Sequence, residues 1–82
     1  MKKLRPSYGS KNVIGKRIKQ LRKENKLSQR DLSYKFQIKG IDIDKNVITR
    51  IETGKRFVND FEVKAFSEIF NVTTDSLFED DK

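Results

Sequence analysis

Apolar residues recur along this chain at intervals of three and four, the spacing of one face of an α-helix. Short stretches that contain glycine or asparagine interrupt this pattern and divide the chain into helical segments. The first segment starts at about Asn12, with Ser10 or Asn12 as its N-cap. Its apolar face consists of Ile14, Ile18 and Leu21.

Two residues predict how this first helix begins and ends. Gly15 costs about 1 kcal/mol relative to alanine in a helix, so we expect the first turn to fray. Asn25 is predicted to end the helix in the left-handed conformation that asparagine tolerates. The chain then returns to the core at Leu27.

A second helix is predicted from residue 29 to residue 36 or 37. The Ser28 hydroxyl can accept a backbone N–H of the first turn, and the Asp31 carboxylate can reach back to Ser28. The same carboxylate suits the positive end of the helix dipole. Leu32 and Phe36, four residues apart, give this helix an apolar seam.

The connector over residues 38–44 is longer than a tight helix-turn-helix turn. Gly40 gives its backbone freedom, and we expect an ordered loop anchored by Ile38, Ile41 and Ile43. An alternative is a short β-strand, because apolar and acidic residues alternate over residues 41–44. A strand requires a partner, and the sequence offers none.

The third helix, over about residues 45–53, is predicted to have one apolar and one polar face. Asp44 caps its start and Gly54 ends it. Val47, Ile48 and Ile51 face inward, which leaves Lys45, Asn46, Thr49 and Arg50 facing outward. These side chains match the donors and acceptors of the DNA major groove, so the pattern predicts a helix-turn-helix DNA-binding protein.

Two more helices are predicted in the C-terminal part. Asn59 or Asp60 caps the fourth, with Glu62 in its first turn, and Asn71 ends it. Its apolar stripe is Phe61, Ala65, Phe66, Ile69 and Phe70, and Val63 belongs to a second contact surface. Thr73 or Thr74 caps a short last helix with Leu77 and Phe78. The predicted fold is an all-α, compact five-helix domain.

Charge is distributed unevenly over the 82 residues, whose net charge is +7. Residues 1–56 contain 17 Lys and Arg against 5 Asp and Glu, whereas residues 57–82 contain 2 against 7. The positive part coincides with the predicted DNA-reading helices, which favours a nucleic-acid partner over a merely solvated surface.

The composition also argues against other classes of function. Without cysteine or histidine there is no thiol chemistry, disulfide or usual zinc site, and no Gly-rich phosphate loop occurs. We therefore expect no enzyme, cofactor or metal. No apolar run approaches the roughly 20 residues of a membrane span, and the N-terminus lacks a signal segment, so a cytoplasmic protein is expected.

The order of motifs resembles the phage repressor and Cro-like (XRE-type) helix-turn-helix regulators of bacteria and phages. The resemblance covers about residues 13–78. The matching pieces are Ile18-Lys-Gln-Leu-Arg22, Leu27-Ser-Gln-Arg-Asp-Leu32, Ile48-Thr-Arg-Ile-Glu52 with Gly54-Lys-Arg56, and Ile69-Phe-Asn-Val72 followed by Leu77-Phe78. The turn of this chain is longer than that of the family.

The resemblance implies a role for each matching position. Base contacts would come from Lys45, Asn46, Thr49 and Arg50, and DNA backbone contacts from Ser28, Gln29, Thr53, Lys55 and Arg56. Gln29 would bind a phosphate or position a base-contacting residue. Arg22 and Glu52 would form a structural ion pair between the first helix and the third.

The predicted organisation has three parts: a flexible basic arm over residues 1–11, the DNA-binding domain over residues 12–78, and an acidic tail over residues 79–82. The arm either reaches DNA or is a frayed terminus. The expected function is a sequence-specific regulator of transcription, a repressor, bound to double-stranded DNA. The alternative is a protein-interaction or antitoxin-like module of the same fold.

Self-association is expected through the aromatic C-terminal part. Its surface would consist of Phe61, Phe66, Phe70, Leu77 and Phe78. Because this part carries a negative balance, we expect a weak homodimer that DNA completes. No membrane partner and no small-molecule effector are expected.

Overall fold

The computed structural model describes residues 9–79, and within that range it contains five helices and no β-strand. The helices are α1 (Gly15–Glu24), α2 (Gln29–Ile38), α3 (Lys45–Glu52), α4 (Asp60–Phe70) and α5 (Thr74–Leu77). The all-α prediction is confirmed, and the alternative of a strand in the connector is wrong. Most of the predicted basic arm and acidic tail lies outside the described residues. None of the five helices is long and apolar enough to cross a membrane.

Local sequence signals set most of the helix ends. The hydroxyl of Ser28 accepts the backbone N–H of Asp31, and the Asp31 carboxylate accepts that of Ser28, both at 2.9 Å. Asp44 caps α3 and Thr73 caps α5 through the N–H three residues on. Asn71 ends α4 with a φ of +56°. Each of these caps was predicted from the sequence.

The two ends of α1 differ from the prediction. The helix begins at Gly15 rather than near Asn12, and the residue at its N-cap position is Ile14, whose side chain makes no capping bond. Asn12, one of the two predicted caps, still accepts the Gly15 N–H through its side-chain oxygen at 2.8 Å. At the other end the left-handed residue is Lys26, with a φ of +57°, and not Asn25. Asn25 instead donates its side-chain N–H to the carbonyl of Leu21 at 2.8 Å.

The core lies where α3 packs against α1 and α2, and where α4 packs against α1 and α5. The rings of Phe36 on α2 and Phe66 on α4 meet edge to face with centroids 4.7 Å apart. The ring of Phe70 lies parallel to that of Phe66 at 6.2 Å. The fully buried aliphatic residues of the core are Ile14, Ile18, Leu32, Ile43, Ile48, Ile51 and Leu77.

Ile38, predicted to anchor the connector, is exposed, and so is Phe61, which was predicted in the apolar stripe of the fourth helix. Phe78 is exposed as well. Ile38 is the last residue of α2, about 200° around the helix from Phe36, so it points away from the core. At the start of α4, Glu62 rather than Phe61 turns inward. Of the predicted aromatic C-terminal surface, only Phe61 and Phe78 remain exposed, because Phe66, Phe70 and Leu77 fill the core.

The connector between α2 and α3 is an ordered loop, as predicted. Gly40 takes a φ of +82°, which lets the chain turn while the Ile41 N–H bonds back to the Phe36 carbonyl at 3.0 Å. Ile43 is buried and Ile41 is half-buried against the core. Two of the three predicted isoleucine anchors are therefore present.

Gly15 lies at a close approach between α1 and α3. A methyl group on its Cα would overlap the backbone carbonyl oxygen of Ile51 and lie 3.1 Å from that of Glu52. Both Gly15 and the preceding Ile14 are buried. The first turn of α1 is therefore packed against α3, and the expectation of a frayed turn is wrong.

Candidate nucleic-acid interface

The exposed side of α3 is polar along its whole length. Ile48 and Ile51 are fully buried, which fixes the rotation of the helix about its axis. The opposite face consists of the exposed side chains Lys45, Asn46, Thr49 and Arg50. Eight residues span about 12 Å. With its side chains an α-helix is about 10–12 Å in diameter, which fits the major groove, about 12 Å wide.

Gln29 connects the start of α2 to this polar face. Its side-chain N–H donates to a carboxylate oxygen of Glu52 at 3.2 Å, and its carbonyl oxygen accepts from the Thr49 hydroxyl at 3.0 Å. Because a carboxylate only accepts, Glu52 determines which end of the Gln29 amide faces Thr49. The geometry thus supports the positioning role expected for Gln29, whereas a phosphate contact stays a prediction.

An ion pair between Arg22 and Glu52 underlies the same region. The guanidinium donates through two nitrogens to the two carboxylate oxygens, at 2.7 and 3.1 Å, and a third donates to the Leu27 carbonyl at 3.0 Å. The side chains are 11% and 2% exposed, so the pair is shielded from water. It ties the end of α1 and the start of α2 to the last residue of α3. The structure contains the ion pair that the resemblance implied.

Ser28 is exposed beside Gln29, where the backbone N–H groups of a helix start favour anions. Its own N–H donates to the Asp31 carboxylate, and this bond, together with the Ser28 hydroxyl, lowers the pKa of Asp31 below its ordinary value of 3.8. A contact of Ser28 with a DNA phosphate stays a prediction.

The chain leaves α3 in a tight turn. Gly54 has a φ of +78°, and the N–H of Lys55 donates to the Arg50 carbonyl at 2.7 Å. These contacts hold the exposed Lys55 close to the exposed face of α3. Thr53 is exposed at the same turn, with its hydroxyl donating to the Thr49 carbonyl at 2.9 Å.

Arg56 has a structural partner that the sequence analysis did not identify. Its guanidinium donates to both carboxylate oxygens of Glu62, at 2.9 and 3.1 Å, and the Glu62 side chain is only 3% exposed. Glu62 also accepts the N–H of Asn59 at 2.9 Å, the capping contact predicted for α4. The charge of Arg56 is therefore balanced by a buried carboxylate, which weakens the case for it as a phosphate contact.

A second unpredicted feature is the N-terminal clasp, formed by residues 10–12. The Asn12 side-chain N–H group donates to the carbonyls of Ile51 and Arg56, at 3.0 and 2.8 Å. The N–H of Lys11 donates to the Gly54 carbonyl at 2.7 Å. The sequence predicts only a capping role for Asn12, because these two carbonyl partners lie 39 and 44 residues further along the chain and leave no local signal.

The lysine and arginine side chains exposed on this surface form no ion pair within residues 9–79. Glu52 and Glu62, the two buried carboxylates near it, are each paired with an arginine. Lys45, Arg50 and Lys55 are all exposed. The region accordingly offers a positive potential to a polyanion.

Comparison with protein-family models gives one match, described as "Helix-turn-helix domain", over residues 15–80. The chain belongs to this family. In this helix-turn-helix domain, α2 and α3 form the motif and the connector over residues 39–44 is its turn. Membership indicates a DNA-binding regulator. A search of curated proteins and a search of solved structures each gave no match.

Proposed function

We propose that this helix-turn-helix domain is a sequence-specific regulator of transcription of the phage repressor and Cro-like (XRE) type, acting in the cytoplasm of a bacterium. The observation that carries the proposal is the uninterrupted polar face of α3 over a buried apolar face. Such a regulator represses by occupying an operator and excluding the polymerase, an action that requires binding alone.

Base recognition is assigned to α3. Arg50 and Lys45 would donate to guanine, the base that arginine and lysine contact most often in the major groove. Asn46 would bind adenine through its amide, which offers one donor and one acceptor. Thr49 would contact a base edge or a thymine methyl group; its hydroxyl lies 3.0 Å from two acceptors, the Gln29 side-chain carbonyl and the Lys45 backbone carbonyl.

Contacts with the sugar-phosphate backbone are assigned to the two ends of the motif. Ser28 and Gln29 would meet one phosphate at the start of α2, and Thr53 with Lys55 would meet another after α3. These contacts set the register of α3 in the groove without reading sequence. Arg56 is assigned a structural role, since Glu62 already engages its guanidinium.

The unit bound to DNA is proposed to be a two-fold dimer. One recognition helix reads about half a turn, and two helices about 34 Å apart read successive major grooves of an inverted repeat. Only Phe61 and Phe78 of the predicted aromatic surface are exposed, so little apolar area is available for association. The dimer is therefore weak without DNA.

Selection of bound sequences from random duplex DNA tests this proposal. The expected product is an inverted repeat whose half-sites are one helical turn apart, and sedimentation should show two chains per duplex but mostly monomer without DNA. Lys64→Ala is the matched control, because it removes an exposed lysine on α4, outside the helix-turn-helix motif. Recovery of no sequence preference would refute base reading by α3.

A protein-interaction module is the competing function. Tyr34, Ile38 and Phe61 are exposed and could bind a partner protein. That function predicts no affinity for duplex DNA and no effect of Arg50→Ala. The same selection experiment therefore separates the two.

A further inference from the structure

We propose that Lys11 is an additional DNA-backbone contact, held beside Lys55 by the N-terminal clasp. The proposal rests on the DNA binding proposed above and extends its surface to a segment that precedes α1. The ligand would be a backbone phosphate next to the one bound by Lys55.

Hydrogen bonds hold the clasp against the turn after α3. The N–H of Lys11 donates to the Gly54 carbonyl at 2.7 Å, directly before Lys55 in the chain. On the other side, the Asn12 amide donates to the carbonyls of Ile51 and Arg56, at the end of α3 and in the link to α4. Three hydrogen bonds thus join the clasp to the turn that follows the proposed recognition helix.

Close packing leaves the clasp little freedom to leave this position. A methyl group on Gly54 would overlap the Ser10 hydroxyl oxygen and lie 3.2 Å from the Ser10 Cβ. The Ser10 hydroxyl in turn donates to the Asn12 carbonyl at 2.8 Å. Ser10 and Lys11 therefore lie directly against the Gly54–Lys55 turn.

The side-chain ammonium of Lys11 contacts an aromatic ring at the surface. Its ammonium lies 5.6 Å from the centre of the Phe57 ring, within the range of a cation–π contact. Phe57 is 66% exposed, so the ring holds the ammonium at the surface. An aromatic ring attracts a cation without neutralising it, and the positive charge remains available to a phosphate.

The cations around the turn differ in whether a carboxylate pairs with them. Arg56 is paired with the buried carboxylate of Glu62. Lys11 and Lys55 are exposed, and neither forms an ion pair within residues 9–79. Lys11 is therefore a better candidate for a phosphate contact than Arg56, to which the family resemblance assigned one.

The test is the salt dependence of binding to the selected operator for the wild type, Lys11→Ala, Lys55→Ala and Lys64→Ala. Each phosphate contact contributes about −0.9 to the slope of log affinity against log salt. Lys11→Ala and Lys55→Ala should each flatten the slope by about 0.9 and weaken binding about five-fold at about 0.15 M salt. Lys64→Ala should leave both quantities unchanged.

Lys11→Ala retains the backbone N–H that bonds to Gly54, so thermal melting should match the wild type and exclude a folding defect. Lys11→Arg should retain the wild-type slope. If Lys11→Ala behaves like Lys64→Ala while Lys55→Ala flattens the slope, the proposal is overturned and DNA binding stands. If the wild type binds no duplex, the proposed function fails and this contact fails with it.

Discussion

Replacement of Gly15 by alanine separates two opposite expectations for stability. From helix propensity alone, alanine should stabilise α1 by about 1 kcal/mol. In the structure, however, the added methyl group would overlap the Ile51 carbonyl oxygen. That oxygen belongs to the backbone of α3, so it cannot rotate away as a flexible side chain could.

The size of the effect follows from these two contributions. Overpacking of a close contact costs about 1–3 kcal/mol, and it opposes the gain in propensity. Because backbone is involved on both sides, we expect the upper part of that range and a net loss of about 1–2 kcal/mol. For a domain of this size the melting temperature should fall by roughly 5–15 °C.

Thermal and urea unfolding of Gly15→Ala measures this loss. Lys16→Ala is the control, since Lys16 is the exposed next residue of the same helix and its replacement should change stability by less than about 0.5 kcal/mol. Gly15→Ala should also weaken DNA binding, because the end of α3 must move. A variant more stable than the wild type would refute the close approach of α1 and α3.

Other substitutions test the charged groups. Arg22→Ala and Glu52→Ala should each cost about 2–4 kcal/mol of stability and the double variant less than their sum; small additive effects would place both residues in open solvent. Arg56→Ala leaves the Glu62 carboxylate buried and unpaired, so it should lower the melting temperature and leave the salt slope of DNA binding unchanged. A flatter slope with an unchanged melting temperature would show that Arg56 contacts a DNA phosphate. NMR titration should give Asp31 a pKa below 3.8. The stability that the ionised Asp31 contributes is present above pH 3.8 and should be lost as the pH falls through its lowered pKa. Asp31→Asn should abolish this part of the pH dependence of stability.

Features that depend on neighbouring residues could be predicted from the sequence. The caps at Ser28, Asp44 and Thr73 each act on an N–H three residues on, so their signal is local. The buried face of α3 follows from the helical period, and the face left over defines the candidate site. The element order and the position of that site were predictable for this reason.

Features that join distant segments could not be predicted in the same way. The roles of Asn12 and Arg56 depend on carbonyl and carboxylate groups that only the packing of α1, α3 and α4 brings near them. Gly15 was interpreted as a cost to α1 because the helix that it contacts begins 30 residues later. The Arg22–Glu52 pair, also 30 residues apart, was predicted only through the family resemblance.

Apolar residues near helix ends were a further source of error. Ile38 was predicted to anchor the connector, but it is the last residue of α2 and lies about 200° around that helix from Phe36. Phe61 matches the stripe of α4 by spacing, yet Glu62 turns inward in its place at the start of the helix. Near a helix end, spacing alone therefore does not determine which side chain faces the core.

The central claim is that the exposed face of α3 reads base pairs, and Arg50 tests it most directly. The measurement is the affinity of the wild type, Arg50→Ala and Lys55→Ala for the selected operator and for each of its single base-pair variants. Arg50→Ala should lose discrimination at one base pair of each half-site, by about 5- to 150-fold, and keep it elsewhere. Lys55→Ala should weaken all duplexes alike. If Arg50→Ala also weakens every duplex by the same factor, Arg50 does not read a base and the proposed mode of recognition is wrong.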